Sequence, residues 1–156
     1  MKLRRIAVVA LAIFALSAAV AVAQTEVDHY RGHTEGKVLV RSGDDWKFRH
    51  GKISFDVSGN RVSNIRFEIR VACDESDRHF SYVVSHGGSL PLDKDGQFDG
   101  TASTNGNTGK DRIKGEVDGD HASGFVARSI RLNKSGKEQR PGELCASGRV
   151  EWSASS

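Results

Sequence analysis

The stretch Ile65-Arg66-Phe67-Glu68-Ile69-Arg70-Val71-Ala72-Cys73 constrains the fold of this chain more than any other. Apolar residues occupy every odd position, and Arg66, Glu68 and Arg70 fall between them. A period of two with one charged face is the pattern of a β-strand buried on one side and wet on the other. The same alternation aims Cys73 inward. It recurs over Gly148-Arg149-Val150-Glu151-Trp152-Ser153-Ala154, with Cys145 just ahead. The final strand is therefore expected to be tied to the end of the Ile65 strand.

The compartment bears on those two cysteines. Lys2, Arg4 and Arg5 precede an apolar run from Ile6 to Val22, broken only by Ser17 and ending in Ala21-Val22-Ala23 before Gln24. A basic start, an apolar middle and a small-x-small end make a secretory signal peptide, with cleavage expected after Ala23. The competing reading is an uncleaved anchor, since the run approaches spanning length. On the first reading residues 1–23 are leader, 24–156 form one secreted β domain with its core over about 28–154, and no membrane contact remains after cleavage. Cys73 and Cys145 are the only cysteines. In an oxidising compartment they read as one disulfide, against free thiols or a redox pair; their wide separation, with no Cys-x-x-Cys, disfavours the last.

Cleavage also changes the charge. The leader holds three of the 23 basic residues and none of the 20 acidic ones, so the remainder balances at 20 and 20. The apparent basicity belongs to the leader, and no run of Lys and Arg marks a nucleic-acid surface, so no nucleic-acid partner is expected.

Beyond the leader the composition favours strands. There are eleven Val and five Ile against five Leu, and all 17 Gly lie there. β-branched residues suit a pleated surface and glycine suits tight turns. Ser58-Gly59-Asn60-Arg61 and Asp118-Gly119-Asp120-His121 predict two-residue hairpin loops that set Val57 opposite Val62 and Val117 opposite Ala122. A three-residue Lys94-Asp95-Gly96 loop would set Leu92 opposite Phe98. His79 to Val84 and Phe125 to Leu132 are strand-like; Val38-Leu39-Val40 and Trp46-Lys47-Phe48 are weaker. Thr101 to Lys110 and Asn133 to Gly142 read as long solvated loops. The expectation is an all-β fold, an antiparallel β-sandwich or small β-barrel of about seven to nine strands with one disulfide.

Tyr30-Arg31-Gly32-His33-Thr34, Ile53-Ser54-Phe55-Asp56-Val57, Gly59-Asn60-Arg61-Val62, Ile65 and Cys73 together resemble a group of small secreted bacterial domains of actinobacterial type. Leu90-Pro91-Leu92, Gly96-Gln97-Phe98, Gly115, Ala122-Ser123-Gly124, Cys145, Gly148 and Trp152 extend the resemblance over about residues 28–154. These are turn and core positions. The resemblance implies a β-sandwich-like domain with one disulfide and no assigned activity, and it carries over no site residue.

No catalytic set stands out. Asp93-x-Asp95-Gly96-x-x-Asp99 spaces oxygen ligands as a calcium turn does, but it lacks the further ligands of an EF-hand loop, and a hairpin turn explains Asp and Gly equally well. Of six histidines only His29 and His33 are four apart, and not in a helix, so no zinc ligand set emerges. Ser85-His86 and His121-Ala122-Ser123 place Ser near His, which is not triad geometry. No metal or cofactor is expected. Tyr30, Trp46 and Tyr82 are the candidate ligand face, since aromatic rings stack on the apolar faces of sugars. The leading reading is a non-catalytic extracellular or envelope-associated binding module, with cell-envelope polysaccharide or a secreted protein as possible partners. A secreted inhibitor or antagonist is second, using Thr101–Lys110 or Asn133–Gly142, and a hydrolase is third.

Overall fold

The computed structural model describes residues 26–103 and 108–156. The leader therefore lies outside the described residues. Thr101–Lys110, expected to be a loop, is strand at both ends, with Ser103 paired to Lys110, and its residues 104–107 lie outside the described residues.

Ten antiparallel strands build the fold: β1 (Val27–Ser42), β2 (Asp45–Ser58), β3 (Arg61–Cys73), β4 (His79–Ser85), β5 (Leu90–Pro91), β6 (Gln97–Ser103), β7 (Gly109–Asp118), β8 (His121–Leu132), β9 (Glu143–Ala146) and β10 (Val150–Ser155). The sheet runs β10-β1-β2-β3-β9-β8-β7-β6, and β10 also pairs with β8, so six strands close a barrel. Closure removes the edges of those six strands from the ring, while β4 and β6, outside it, each pair on one side only. β4 and β5 pair with the free edge of β3, and β7 and β6 extend from β8.

The two glycine hairpins take the predicted register, with Val57 opposite Val62 and Val117 opposite Ala122. Gly59 and Gly119 supply the positive φ (57° and 59°), as the first position of such loops requires. The third hairpin closes its three-residue loop, the Asp93 amide donating to the Gln97 carbonyl at 2.9 Å, but its ladder does not continue to Leu92 and Phe98. Leu90 and Pro91 pair with Val62 and Arg61 of β3, and β5 makes no ladder with β6. The turn itself is present: Asp93 Oδ1 accepts from the amides of Asp95 and Gln97, and Gly96 is left-handed (φ 75°). It carries the chain from β5, on the β3 edge, into β6, which pairs with β7. Local turn chemistry survives here while the partner strand is chosen by burial of Leu90.

Val38–Val40 and Trp46–Phe48, weak as separate strands, belong to one long β1–β2 hairpin whose outer half forms an arm. Asn64 takes a left-handed φ of 51° and donates to Asp56 Oδ2 at 2.6 Å, where the β2–β3 register shifts. A bulge adds one residue to one strand. It explains why Val62 and Ile65, of opposite parity, are both buried.

The core is aromatic. Tyr30 stacks on Phe55 at 5.0 Å, and Phe55 meets the Trp152 ring edge-on at 5.6 Å and Phe98 at 5.8 Å. A smaller cluster gathers Val71, Ile130 and Leu132 around Cys73 and Cys145. The disulfide joins those cysteines, directly opposed across β3 and β9. The tie to the last strand is realised with a break: β9 and β10 are separated by three residues that include Gly148 at φ 66°. The Asn133–Gly142 segment is not a free loop. Glu138 binds Arg128 and bridges Leu132, and Gly136 lies against Phe80.

Candidate functional site: a cationic groove on the outer sheet face

Inward burial on each strand dictates what its other face presents. Tyr30 and Thr34 of β1 are buried, which turns Arg31 and His33 outward. Ile53 and Phe55 of β2 do the same for Lys52 and Ser54, Phe67 and Ile69 of β3 for Arg66 and Glu68, and Trp152 and Ala154 of β10 for Ser153 and Ser155. These outward residues, with His121 of β8, line one open groove of about 840 Å³. Gly32 sits in its floor. A Cβ there would fall 1.8 Å from the Ser153 carbonyl oxygen, so only glycine lets β1 and β10 approach this closely.

Strand register aligns the side chains into rows. His121 faces Ser155, Ser155 faces Arg31, Arg31 faces Ser54, and Ser54 faces Arg66. Two residues along, Ser153 faces His33 and His33 faces Lys52.

Cations outnumber carboxylates in the groove lining. Among the described residues, the side chains of Arg31, His33, Lys52 and Arg66 enter no ion pair. The one carboxylate in the lining, Glu68, is already engaged: Arg49 donates to both its oxygens at 2.6 and 2.9 Å, and the Lys52 amide donates at 2.9 Å. The Arg49 hydrogen bond, opposed in part by desolvation, holds this carboxyl below the ordinary glutamate range. At the rim, His121 pairs with Asp120. On the same outer face, one row along from Arg31, Asp56 accepts from Asn64 and His29; the Asn64 hydrogen bond is the largest cause of its lowered pKa, and the Arg31 charge adds to it. Arg31, Lys52 and Arg66 thus face solvent, interleaved with hydroxyls, with Asp56 near Arg31 and Glu68 near Lys52. Such a surface attracts anions and donates hydrogen bonds to them.

The aromatic residues expected to form a ligand face are scattered. Tyr30 is 2% exposed, stacked on Phe55, and its hydroxyl donates to the Gly119 carbonyl, so it belongs to the core and not to a ligand surface. Burial pushes its phenol pKa up. Tyr82 is half-buried, and the Arg128 guanidinium covers its ring at 4.8 Å, which denies that face to a sugar. Trp46 alone is open, at 64% exposure on the hairpin arm, close to Phe48 at 56%.

The other sequence candidates are drawn into structural roles. Asp93 caps its own turn, Asp95 pairs with Lys94 and Asp99 pairs with Arg112, so the three carboxylates of the calcium-like spacing do not converge. Among the described residues no three His, Cys, Asp or Glu side chains are grouped as a metal site needs. The His121 Nδ1 engages Asp120 rather than Ser123. Arg128 sits buried between Asp111 at 2.8 Å and Glu138 at 2.9 Å, tying β7, β8 and the 133–142 segment together. Sequence reasoning missed the groove. Its only signal was the outward parity of Arg31, Lys52 and Arg66 on separate strands, with nothing to show that they align.

Comparison of the chain with protein-family models, with curated proteins and with solved structures returned no match.

Proposed function

We propose that the protein is a secreted, non-catalytic binding module that holds an acidic ligand in the groove across β8, β10, β1, β2 and β3. The observation that carries this reading is the set of unpaired cations in one groove whose only carboxylate is already occupied by Arg49. Extracellular placement is supported by the leader pattern and by the Cys73–Cys145 disulfide, which fits an oxidising compartment. Among the described residues no helix is long and apolar enough to cross a membrane. Kinship with the secreted bacterial domains that the sequence resembles is part of the same proposal, and rests on turn and core residues alone.

Binding of polyglucuronate, measured by titration calorimetry, tests the reading. Saturable binding that weakens with salt is expected. It should fall at least about tenfold in R31A/R66A, since each lost charge-assisted hydrogen bond is worth roughly 1.5–3 kcal/mol. Urea denaturation of that variant should match wild type, because both side chains face solvent. Unchanged affinity in the variant would end the proposal.

A second reading has its own observation. The β1–β2 arm carries Trp46 and Phe48 exposed behind its polar turn, with Leu39 opposite Phe48, and such an exposed apolar patch suits an inhibitor or antagonist that docks on another secreted protein. Capture of one secreted protein, lost in W46A and kept in R31A/R66A, would favour it.

A further inference from the structure

We infer that the open edge of β4 is a self-association site, at which two copies of the chain join antiparallel about a two-fold axis at Tyr82. This does not depend on what the groove binds. β4 reads His79-Phe80-Ser81-Tyr82-Val83-Val84-Ser85, with no Lys, Arg, Asp, Glu, Gly or Pro. Proteins blunt an open edge with charge, proline or a bulge, because its unpaired amides and carbonyls recruit other strands. β6, also paired on one side only, carries Asp99 and Gly100. β4 has none of these devices, and its ladder with β3 runs from Ser85 to His79 without a register shift.

That ladder fixes the direction of the backbone groups. Beyond one end the His86 amide donates to the Ile65 carbonyl at 2.9 Å, and beyond the other the Cys73 amide donates to the Arg78 carbonyl at 3.1 Å. Bonded and non-bonded pairs alternate along an antiparallel ladder, so the even-numbered positions of β4 bond to β3. His79, Ser81, Val83 and Ser85 then aim their N–H and C=O groups away from it. All four are exposed, and among the described residues β4 pairs with no strand but β3.

Symmetry narrows the register. In a two-fold pairing these four positions must meet one another. An axis at Tyr82 sets His79 opposite Ser85 of the second copy, and Ser81 opposite Val83, so every outward amide and carbonyl is used. An axis at Val83 leaves His79 without a partner in the strand. The first register also joins apolar surface. Leu39 of the arm, 36% exposed, donates its amide to Ser81 Oγ at 3.0 Å. Val83, itself 53% exposed, would pair from the second copy with that same Ser81, one strand spacing of about 4.8 Å away. Each copy thus brings its Val83 beside the other's Leu39, and no like charges are opposed across the join.

Sedimentation equilibrium of the disulfide-bonded protein tests the site, and a dimer is expected. V83P removes an outward N–H that β3 does not use, a position where an edge strand tolerates proline. Each copy then loses one interchain hydrogen bond, which should weaken the dimer at least about tenfold. V83K keeps the backbone donor, places a charge at the join and should also weaken the dimer; it decides the matter if urea denaturation shows V83P unfolded. Crosslinking under mild oxidation reads the register. S81C mixed with V83C should form an intermolecular disulfide, since bonded pairs lie about 5.5 Å apart between Cα atoms, and neither variant should crosslink to itself. Three results would overturn the inference: a monomer even at millimolar concentration, which would leave the edge to a strand of another protein; a dimer unchanged in folded V83P or in V83K; or crosslinking of V83C to itself and not to S81C.

Discussion

Trp152 rests on glycine, and this makes two small substitutions costly in different ways. Gly115 of β7 faces Gly124 of β8, and Gly124 faces Trp152 of β10, so the indole lies across a two-glycine platform. A Cβ on Gly115 would come within 2.5 Å of the Trp152 ring and 2.7 Å of Phe98. Both are ends of side chains, which can shift, so G115A should behave as an overpacked core and cost about 1–3 kcal/mol. A Cβ on Gly124 would instead fall 2.0 Å from the Lys114 carbonyl oxygen and 2.6 Å from the Gly115 Cα. Backbone must move there, opening the β7–β8 pairing next to the barrel seam, and G124A should cost more than G115A, above about 3 kcal/mol. Urea denaturation followed by tryptophan fluorescence measures both. A double-mutant cycle isolates the cause: W152A alone should cost roughly 3–5 kcal/mol. In that background the G115A penalty should shrink by at least about 1 kcal/mol, a coupling typical of touching residues. Additive penalties for G115A and W152A, or a G124A penalty no larger than that of G115A, would refute the reasoning.

Three further outcomes follow from the structure. Removing the disulfide as C73A/C145A frees a loop with a sequence separation of 72, which the chain-entropy model values at about 4 kcal/mol; the urea midpoint should drop by about 2 M. R128M leaves the Asp111 carboxylate buried without its partner and should cost about 3–5 kcal/mol, whereas R128M/D111L should recover most of that loss, because breaking a buried pair is worse than replacing it. Folding lowers the Glu68 pKa through its Arg49 hydrogen bond, so the unfolded chain takes up that proton more readily. The stabilisation is full above the ordinary value of 4.5 and fades as pH falls below it. The stability of E68Q, followed by denaturation between pH 3 and 7, should therefore fall less steeply on acidification than wild type.

The sequence made local features legible and left long-range alignment hidden. The period-two strand ending in Cys73, the Gly59 and Gly119 turns and the cysteine pairing are each written in a few neighbouring residues, and all are present. The arm was harder to read because Lys37–His50 carries little apolar alternation: Val38 is buried, but Trp46 and Phe48 are exposed, so the buried face is too short to imprint a pattern. Tyr30 was misjudged because a tyrosine suits a core and a ligand face equally, and only the placement of Phe55 beside it decides. The groove was invisible for a deeper reason. Its cations come one or two from each strand, the near balance of 23 basic and 20 acidic residues hides them, and a shift of one residue in any strand would scatter them.

Amide chemical-shift mapping during titration with polyglucuronate fragments tests the central claim most directly. The account expects the largest shifts at Arg31–His33, Lys52–Ser54, Arg66–Glu68 and Ser153–Ser155, the stretches that line the groove. Shifts confined to the Trp46–Phe48 arm, or no shifts at all, would contradict it.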